Sequence, residues 1–340
     1  MDLNDKIDID QPLWDQSTYI GRWKHAAFIS DSRTVFVPEK ELWKAKQFCD
    51  DYRDGKVPPD TTMKDVIHAK QLRDSAFHPD NGELMHVIGR MSFQLPSSII
   101  ITTAMLTYYK STVATVLCQI VNQTQNAIVN YSNRNAMEGV DKHDSSSIKT
   151  AFLCAIIASS AVAIGCRRIL HRREPIICCR RTLHRRESVI SRCVPFFAVT
   201  AGHIVNMPLM RQKEIKSGVP VFIEGAEKPF MQSRVAAVIG ISECIITRIG
   251  MSLPCLLFIP VITQTIKQYC FYQRRPWIRY PIKIVLCAVG CLISIPSSLA
   301  LFPRYNSMRT EWLKLCPKDY EEFKRTNKED VDRIYYYKGL

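Results

Sequence analysis

The sequence predicts an all-α fold: a multi-spanning membrane helix bundle of about five transmembrane helices behind an N-terminal helical soluble region. Three observations predict it. A charged first quarter gives way after Pro96 to long apolar runs. Several of these runs approach the ~20 residues needed to cross a hydrocarbon core. They are also apolar on every side, whereas the helices of a large soluble α-protein, the alternative, keep a polar face. The mean hydropathy of -0.08 averages the two textures and hides both.

In residues 1–95, Leu42, Ala45, Cys49 and Tyr52 recur at helical spacing up to Asp54-Gly55, and Val66, Ile67, Leu72 and Phe77 make a second amphipathic run. The Pro-marked "VPPDTT" at 57–62 separates them. Spans are expected at 97–121, 148–165, 194–210, 235–263 and 282–302, with a tail at 304–340. The connections after the second and fourth spans are the basic ones. They share the side of the N-terminus, which the positive-inside rule places in the matrix or cytoplasm.

The 340 residues carry 46 Lys and Arg against 32 Asp and Glu, a net charge of +14. Half of that excess sits in one stretch, Cys166–Cys193, where nine Arg face only Glu174 and Glu187. A thirteen-residue unit is written there nearly twice, Cys166–Cys178 and Cys179–Ser191. Two units are too few for a solenoid. Charge so localised, between membrane spans, speaks against a nucleic-acid partner and for a loop at the bilayer surface, where each Arg adds about 1 kcal/mol of attraction to anionic lipid. A soft-metal site on Cys166/His171 and Cys179/His184, or an indifferent insertion, are the other readings.

The thirteen Cys lie mostly singly in apolar segments, as small buried hydrophobes in a reducing compartment rather than a disulfide framework. The acidic opening "MDLNDKIDID" is neither a secretory signal nor a cleavable mitochondrial presequence, so any mitochondrial address is expected to be internal.

"FHPDNGELMHVIGRMSFQLP" (77–96) is the most specific stretch. Pro79 sets a turn, Gly82 permits an unusual dihedral, and Asp80-x-x-Glu83 reads as a capping box before a Leu84–Met91 helix. A cation site on His78, Asp80, Glu83 and His86 is the rival. In "NQTQNAIVNYSNRN" (122–135), Asn122, Asn126 and Asn130 recur every four residues with Gln119 and Gln123 on or beside them. Amides are costly against lipid, so this stripe faces protein or a wet cavity. Carboxamides donate and accept without net charge, which suits a zwitterionic ligand that must be released; interhelical amide bonds are the plain reading. Pro208 breaks the third span near His203, Asn206 and Arg211, freeing backbone carbonyls in the manner of transporters. Arg248, with Gly250 and Pro254, interrupts the fourth span and needs a partner, a substrate carboxylate or Glu243. No phosphate loop, dinucleotide Gly pattern, G-x-S-x-G, HExxH or C-x-x-C is present, which leaves an enzyme or an ATP-driven pump without support in the sequence.

With these stretches quoted, the chain resembles the sideroflexin family, nearest its sideroflexin-2 branch. The match runs from "QPLWDQSTYIGRWKHAAFISDSRTVFV" (11–37) through His78–Glu83, "NQTQNAIVNYSNRNA", "VPFFAVTAGHIVNMPLMRQKE" and "LFPRYNSM" to "YYYKGL". The resemblance implies a multi-pass protein of the mitochondrial inner membrane that moves small neutral amino acids, notably serine feeding one-carbon metabolism, with links to iron and haem homeostasis. No cofactor is implied, and a homo-oligomer is left open. A scaffold for respiratory-chain assembly or iron handling is the alternative. The chain departs from the family pattern at Asn81, where Thr is usual, at Gln125, where an aromatic is usual, and at Gly202-His203-Ile204, where the family has Ala-Ala-Asn-Cys. If the third span lines the pathway, His203 adds a proton-sensitive group.

Overall fold

The computed structural model describes residues 7–56, 61–78, 82–132, 145–177, 181–223, 228–326 and 331–338. Its helices are α1 (Tyr19–Ile29), α2 (Glu39–Arg53), α3 (Met63–Ala76), α4 (Met91–Tyr108), α5 (Thr112–Ser132), α6 (Ser145–Ile177), α7 (Arg181–Met210), α8 (Gln212–Ser217), α9 (Arg234–Leu253), α10 (Ile259–Ile266), α11 (Cys270–Arg274), α12 (Arg279–Leu299) and α13 (Pro317–Thr326). Four short strands, β1 (Val219–Phe222), β2 (Met231–Ser233), β3 (Tyr305–Arg309) and β4 (Arg333–Tyr337), form one antiparallel sheet in the order β2-β1-β4-β3. The chain divides into two compact units. One holds residues 1–108, α5 from Thr124 onward and Leu253–Leu301; the other holds Tyr109–Gln123, residues 141–252 and residues 302–340.

Four helical stretches are long and apolar enough to cross a membrane: Lys149–Leu170, Ser191–Met210, Arg234–Ile266 and Arg279–Leu299. They fall within a few residues of four of the expected spans. The expected 97–121 span is corrected, because the run is two helices, α4 and α5, divided at Tyr109–Ser111. Ser111 restarts the helix as an N-cap: its Oγ accepts from the Ala114 N–H at 3.3 Å and its carbonyl from Thr115. The fourth span is also not interrupted at Pro254. A π turn, Pro254–Phe258, absorbs the proline, and the helix resumes as α10.

In the first unit, α2 and α3 behave as the periodicity requires. Leu42, Ala45 and Cys49 of α2 are buried with Val66, Ala69, Leu72 and Phe77 in one apolar cluster. Thr62 and Asp65 supply a capping box for α3. Lys70 and Arg73 of α3 both donate to the Ile9 carbonyl, sewing the N-terminal segment to that helix. Helix α1 docks on the C-terminal end of α12. Tyr19 Oη donates to the Ser297 carbonyl and Trp23 Nε1 to Ser297 Oγ, each at 3.2 Å, while Arg22 Nε donates to the Ala300 carbonyl at 2.9 Å. A cation on the orphan carbonyls of a helix end is electrostatically favoured.

The 77–96 stretch corrects the expected Leu84–Met91 helix. Phe77 and Leu84 form a β-bridge; the His78 N–H donates to the Glu83 carbonyl and the Gly82 N–H to the His78 carbonyl, both at 2.9 Å. This is a tight reversal, with Gly82 at φ 65°, where a side chain would be strained. Only a 3₁₀ turn, Val87–Gly89, follows before α4. Lys46 pins the reversal to α2, donating to the Gly82 carbonyl at 2.6 Å while lying over the Trp43 and Phe77 rings. Pro79 and Asp80 lie outside the described residues, so the capping box expected there does too.

In the second unit, α6 and α7 pack closely. Every fourth residue of α6, Ala151, Ala155, Ser159 and Ala163, is small and buried, while Leu153 and Ile157 are exposed. Small residues let two backbones approach, which is how helices associate in lipid, where apolar burial gives no driving force. The basic duplication is corrected from loop to helix. It extends α6 to Ile177 and begins α7 at Arg181, with Cys178 and Cys179 outside the described residues. Its ends are pinned: Arg167 donates to the Lys110 carbonyl, Thr112 Oγ1 and Thr115 Oγ1, and Arg192 lies over the Tyr109 ring at 5.6 Å.

The expected tail at 304–340 is folded. Strand β4 pairs with β1 and β3 with β4, and Asp319 of α13 caps the fourth span, accepting from the N–H groups of Arg234 and Val235 and from Ser233 Oγ at 2.6–3.1 Å. A carboxylate there satisfies orphan donors and complements the helix dipole.

Candidate transport site

Helix α5 carries no acidic or basic side chain, and its polarity is turned inside out. The buried face is Thr115, Gln119, Gln123 and Asn126; the exposed face is Val113, Leu117 and Val121. The expected stripe is therefore rotated by one residue. Asn126 lies on the buried face, whereas Asn122 and Asn130 flank it. Sequence spacing alone could not fix this, because Gln119/Gln123 and Asn122/Asn126 are equally good i, i+4 pairs. The signal was in the apolar residues: Val113, Leu117 and Val121 define the outward face.

Arg167 of α6 meets the start of α5, whereas Ser159, eight residues earlier, lies at the level of Gln123, so α6 runs antiparallel to α5. By the same reasoning α7 is parallel to it, since Arg192 lies against Tyr109 and Gly202 against Gln123. The three helices converge on Gly202. A Cβ there would stand 2.0 Å from Gln123 Nε2 and 3.4 Å from the Ser159 Cβ, so the Gln123 amide occupies the space that a side chain at 202 would need.

Gln119, Gln123 and Asn206 are 0, 1 and 2% exposed. Among the described residues, neither amide atom of Gln119 or Gln123 has a hydrogen-bond partner, nor does Asn206 Oδ1 or Thr200 Oγ1. An unpaired amide held away from water costs about 1–3 kcal/mol or more. Asn206 is one turn beyond Gly202 on the same face of α7. His203, also buried, has Arg248 of α9 within electrostatic reach. This unit thus brings together uncharged donors and acceptors (Gln119, Gln123, Asn206) and, beside them, the imidazole of His203 on α7 within electrostatic reach of the Arg248 guanidinium on α9.

Other expected members fall elsewhere. Pro208 does not end the third span; α7 continues to Met210. Arg211 is engaged, with its Nε 2.9 Å from both carboxylate oxygens of Glu214 and Nη1 donating to the Lys338 carbonyl at 2.9 Å. Glu243, expected beside Arg248, faces the sheet, accepting from Asn306 Nδ2 at 2.6 Å and Tyr336 Oη at 3.1 Å. His78 and Glu83 belong to the reversal described above. Among the described residues no three His, Cys, Asp or Glu gather as a metal site. Ser159 and Lys46 went unnoticed as sequence, and Gly202 stood out only as a departure from the family pattern, because nothing about a lone Gly, Ser or Lys announces its neighbour.

Residues 8–340 match the family model described as sideroflexins. The chain is 38% identical to Sideroflexin-2 of Bos taurus over 339 residues, 100% of this chain and 99% of that one. It is 36% identical to Sideroflexin-3 of Rattus norvegicus and 35% identical to Sideroflexin-1 of Homo sapiens, with the same coverage. No solved structure matches. A membrane protein that matches one family from its eighth residue to its last, at such identity along its whole length, belongs to the sideroflexin family.

Proposed function

We propose that the chain is a carrier, not an enzyme, which moves a small neutral amino acid, serine first, across the mitochondrial inner membrane by alternating access without ATP hydrolysis. The observation that carries this reading is the set of buried, unsatisfied amide atoms of Gln119 and Gln123 on α5 and of Asn206 Oδ1 on the membrane-crossing part of α7. Buried polar groups at membrane depth are expensive and mark solute pathways. Amides match both ends of a zwitterion and the serine hydroxyl without binding so tightly that release fails. Arg248 serves the substrate carboxylate and His203 lies beside it. Arg211, which bonds Glu214 and the Lys338 carbonyl, is the second candidate for that role.

The test is uptake of labelled serine into liposomes holding the purified chain, against Gln119→Leu/Gln123→Leu and Asn206→Leu. Saturable uptake lost in both variants, with insertion unchanged, supports the carrier. Folded, inserted protein that takes up no more serine than empty liposomes would move the reading to a membrane scaffold.

A further inference from the structure

In the first unit, the π turn Pro254–Phe258 meets α12 around three thiols, Cys255 on the turn and Cys287 and Cys291 one helical turn apart, all at most 3% exposed. Gly290 allows the approach, since a Cβ there would stand 2.8 Å from Cys255 Sγ. Cys255 Sγ is 3.5 Å from Cys291 Sγ, and an S–H of one points at the sulfur of the other. Towards Cys287 it meets the carbonyl oxygen, at 3.9 Å. A single buried cysteine is usually inert filler. Two facing sulfurs differ, because a bond between them requires closing only about 1.5 Å to the 2.05 Å of a disulfide. A π turn is where a membrane helix can give that distance, its hydrogen-bond ladder being already loosened.

We propose that Cys255 and Cys291 are a reversible oxidation site, paired by hydrogen peroxide. The oxidant must be small and uncharged, since both sulfurs are enclosed by apolar helices. One thiol attacks the peroxide O–O bond, becoming a sulfenic acid and releasing one water. The second sulfur displaces the hydroxyl as another water, and the S–S bond forms. Two electrons pass from the sulfurs to the peroxide, and both thiol hydrogens leave in water. The bond ties the second half of the fourth span to α12, and a dithiol reductant reverses it.

The full chain in liposomes is exposed to hydrogen peroxide, unfolded in detergent with N-ethylmaleimide, digested without reduction and read by mass spectrometry. The expected result is a linked peptide pair joining Cys255 to Cys291, two hydrogens lighter than its parts. It disappears with dithiothreitol, is absent from Cys291→Ser and Cys291→Ala, and persists in Cys287→Ser. Recovery of both cysteines as maleimide adducts or sulfinic acids from the peroxide-treated native chain overturns the proposal. A Cys255–Cys287 link overturns the pairing. Neither outcome depends on serine uptake.

Discussion

Gly202 shows what one residue settles. Because a Cβ there would collide with Gln123 Nε2, Gly202→Ala should cost about 1–3 kcal/mol through overpacking. Thermal melting in detergent checks the loss, and adding Gln123→Ala should restore most of the melting temperature. If Gly202→Ala melts like the native chain, the contact is wrong. Cys49 makes a second case outside the spans. Burial pushes its thiol up to about 11, so about one molecule in a thousand is thiolate at pH 8 and maleimide should label it slowly. Exposed Cys270 should label first, and peptide mapping over time distinguishes the two.

Elements here are joined by side chains from distant sequence. Asp319 of α13 caps α9, so Asp319→Ala should cost about 1–2 kcal/mol, seen as lower melting and faster proteolysis of the C-terminal segment. Glu243 ties α9 to β3 and β4. Glu243→Gln keeps an acceptor for Asn306 and Tyr336 and should be tolerated. Glu243→Leu strands two donors at about 1–3 kcal/mol each and should release the C-terminal strands to protease. Equal protease resistance in the two variants would count against the tether.

At the scale of the molecule, acid should loosen the N-terminal region before the membrane helices. The Arg53 hydrogen bond holds the Asp10 carboxyl below its usual 3.8, and Arg33 does the same for Asp31. A depressed folded value means these pairs stabilise the fold above the unfolded value and lose that contribution as pH falls through the folded one. The Asp10 pair and the Arg33 side of the Asp31 pair are largely exposed, so the effect is small. Cleavage of residues 1–76 below about pH 4, while α6 to α12 stay protected, is the expected pattern; simultaneous cleavage of both regions would refute it. Uptake of serine should likewise be unchanged by added ATP.

The sequence by itself determined the class of the protein. Apolar length sets how much chain can lie in lipid, and that is a local property, so four of the five expected spans stand where the runs stand. The α2 and α3 faces were equally legible, since 3.6-residue periodicity states which side is buried. Tertiary structure decided the rest. The break at Tyr109–Ser111 depends on a cap at Ser111 that hydropathy averages away. The Arg block became helix where a loop was expected. The polar stripe was visible, but which of its members are buried, Gln119, Gln123 and Asn126 rather than Asn122 and Asn130, was decided by packing. Pairings such as Glu243 with Asn306, Arg211 with Lys338, and Gln123 with Gly202 join residues far apart in the chain. A sequence states what each residue can bond, and only the packed fold states which partner is within reach.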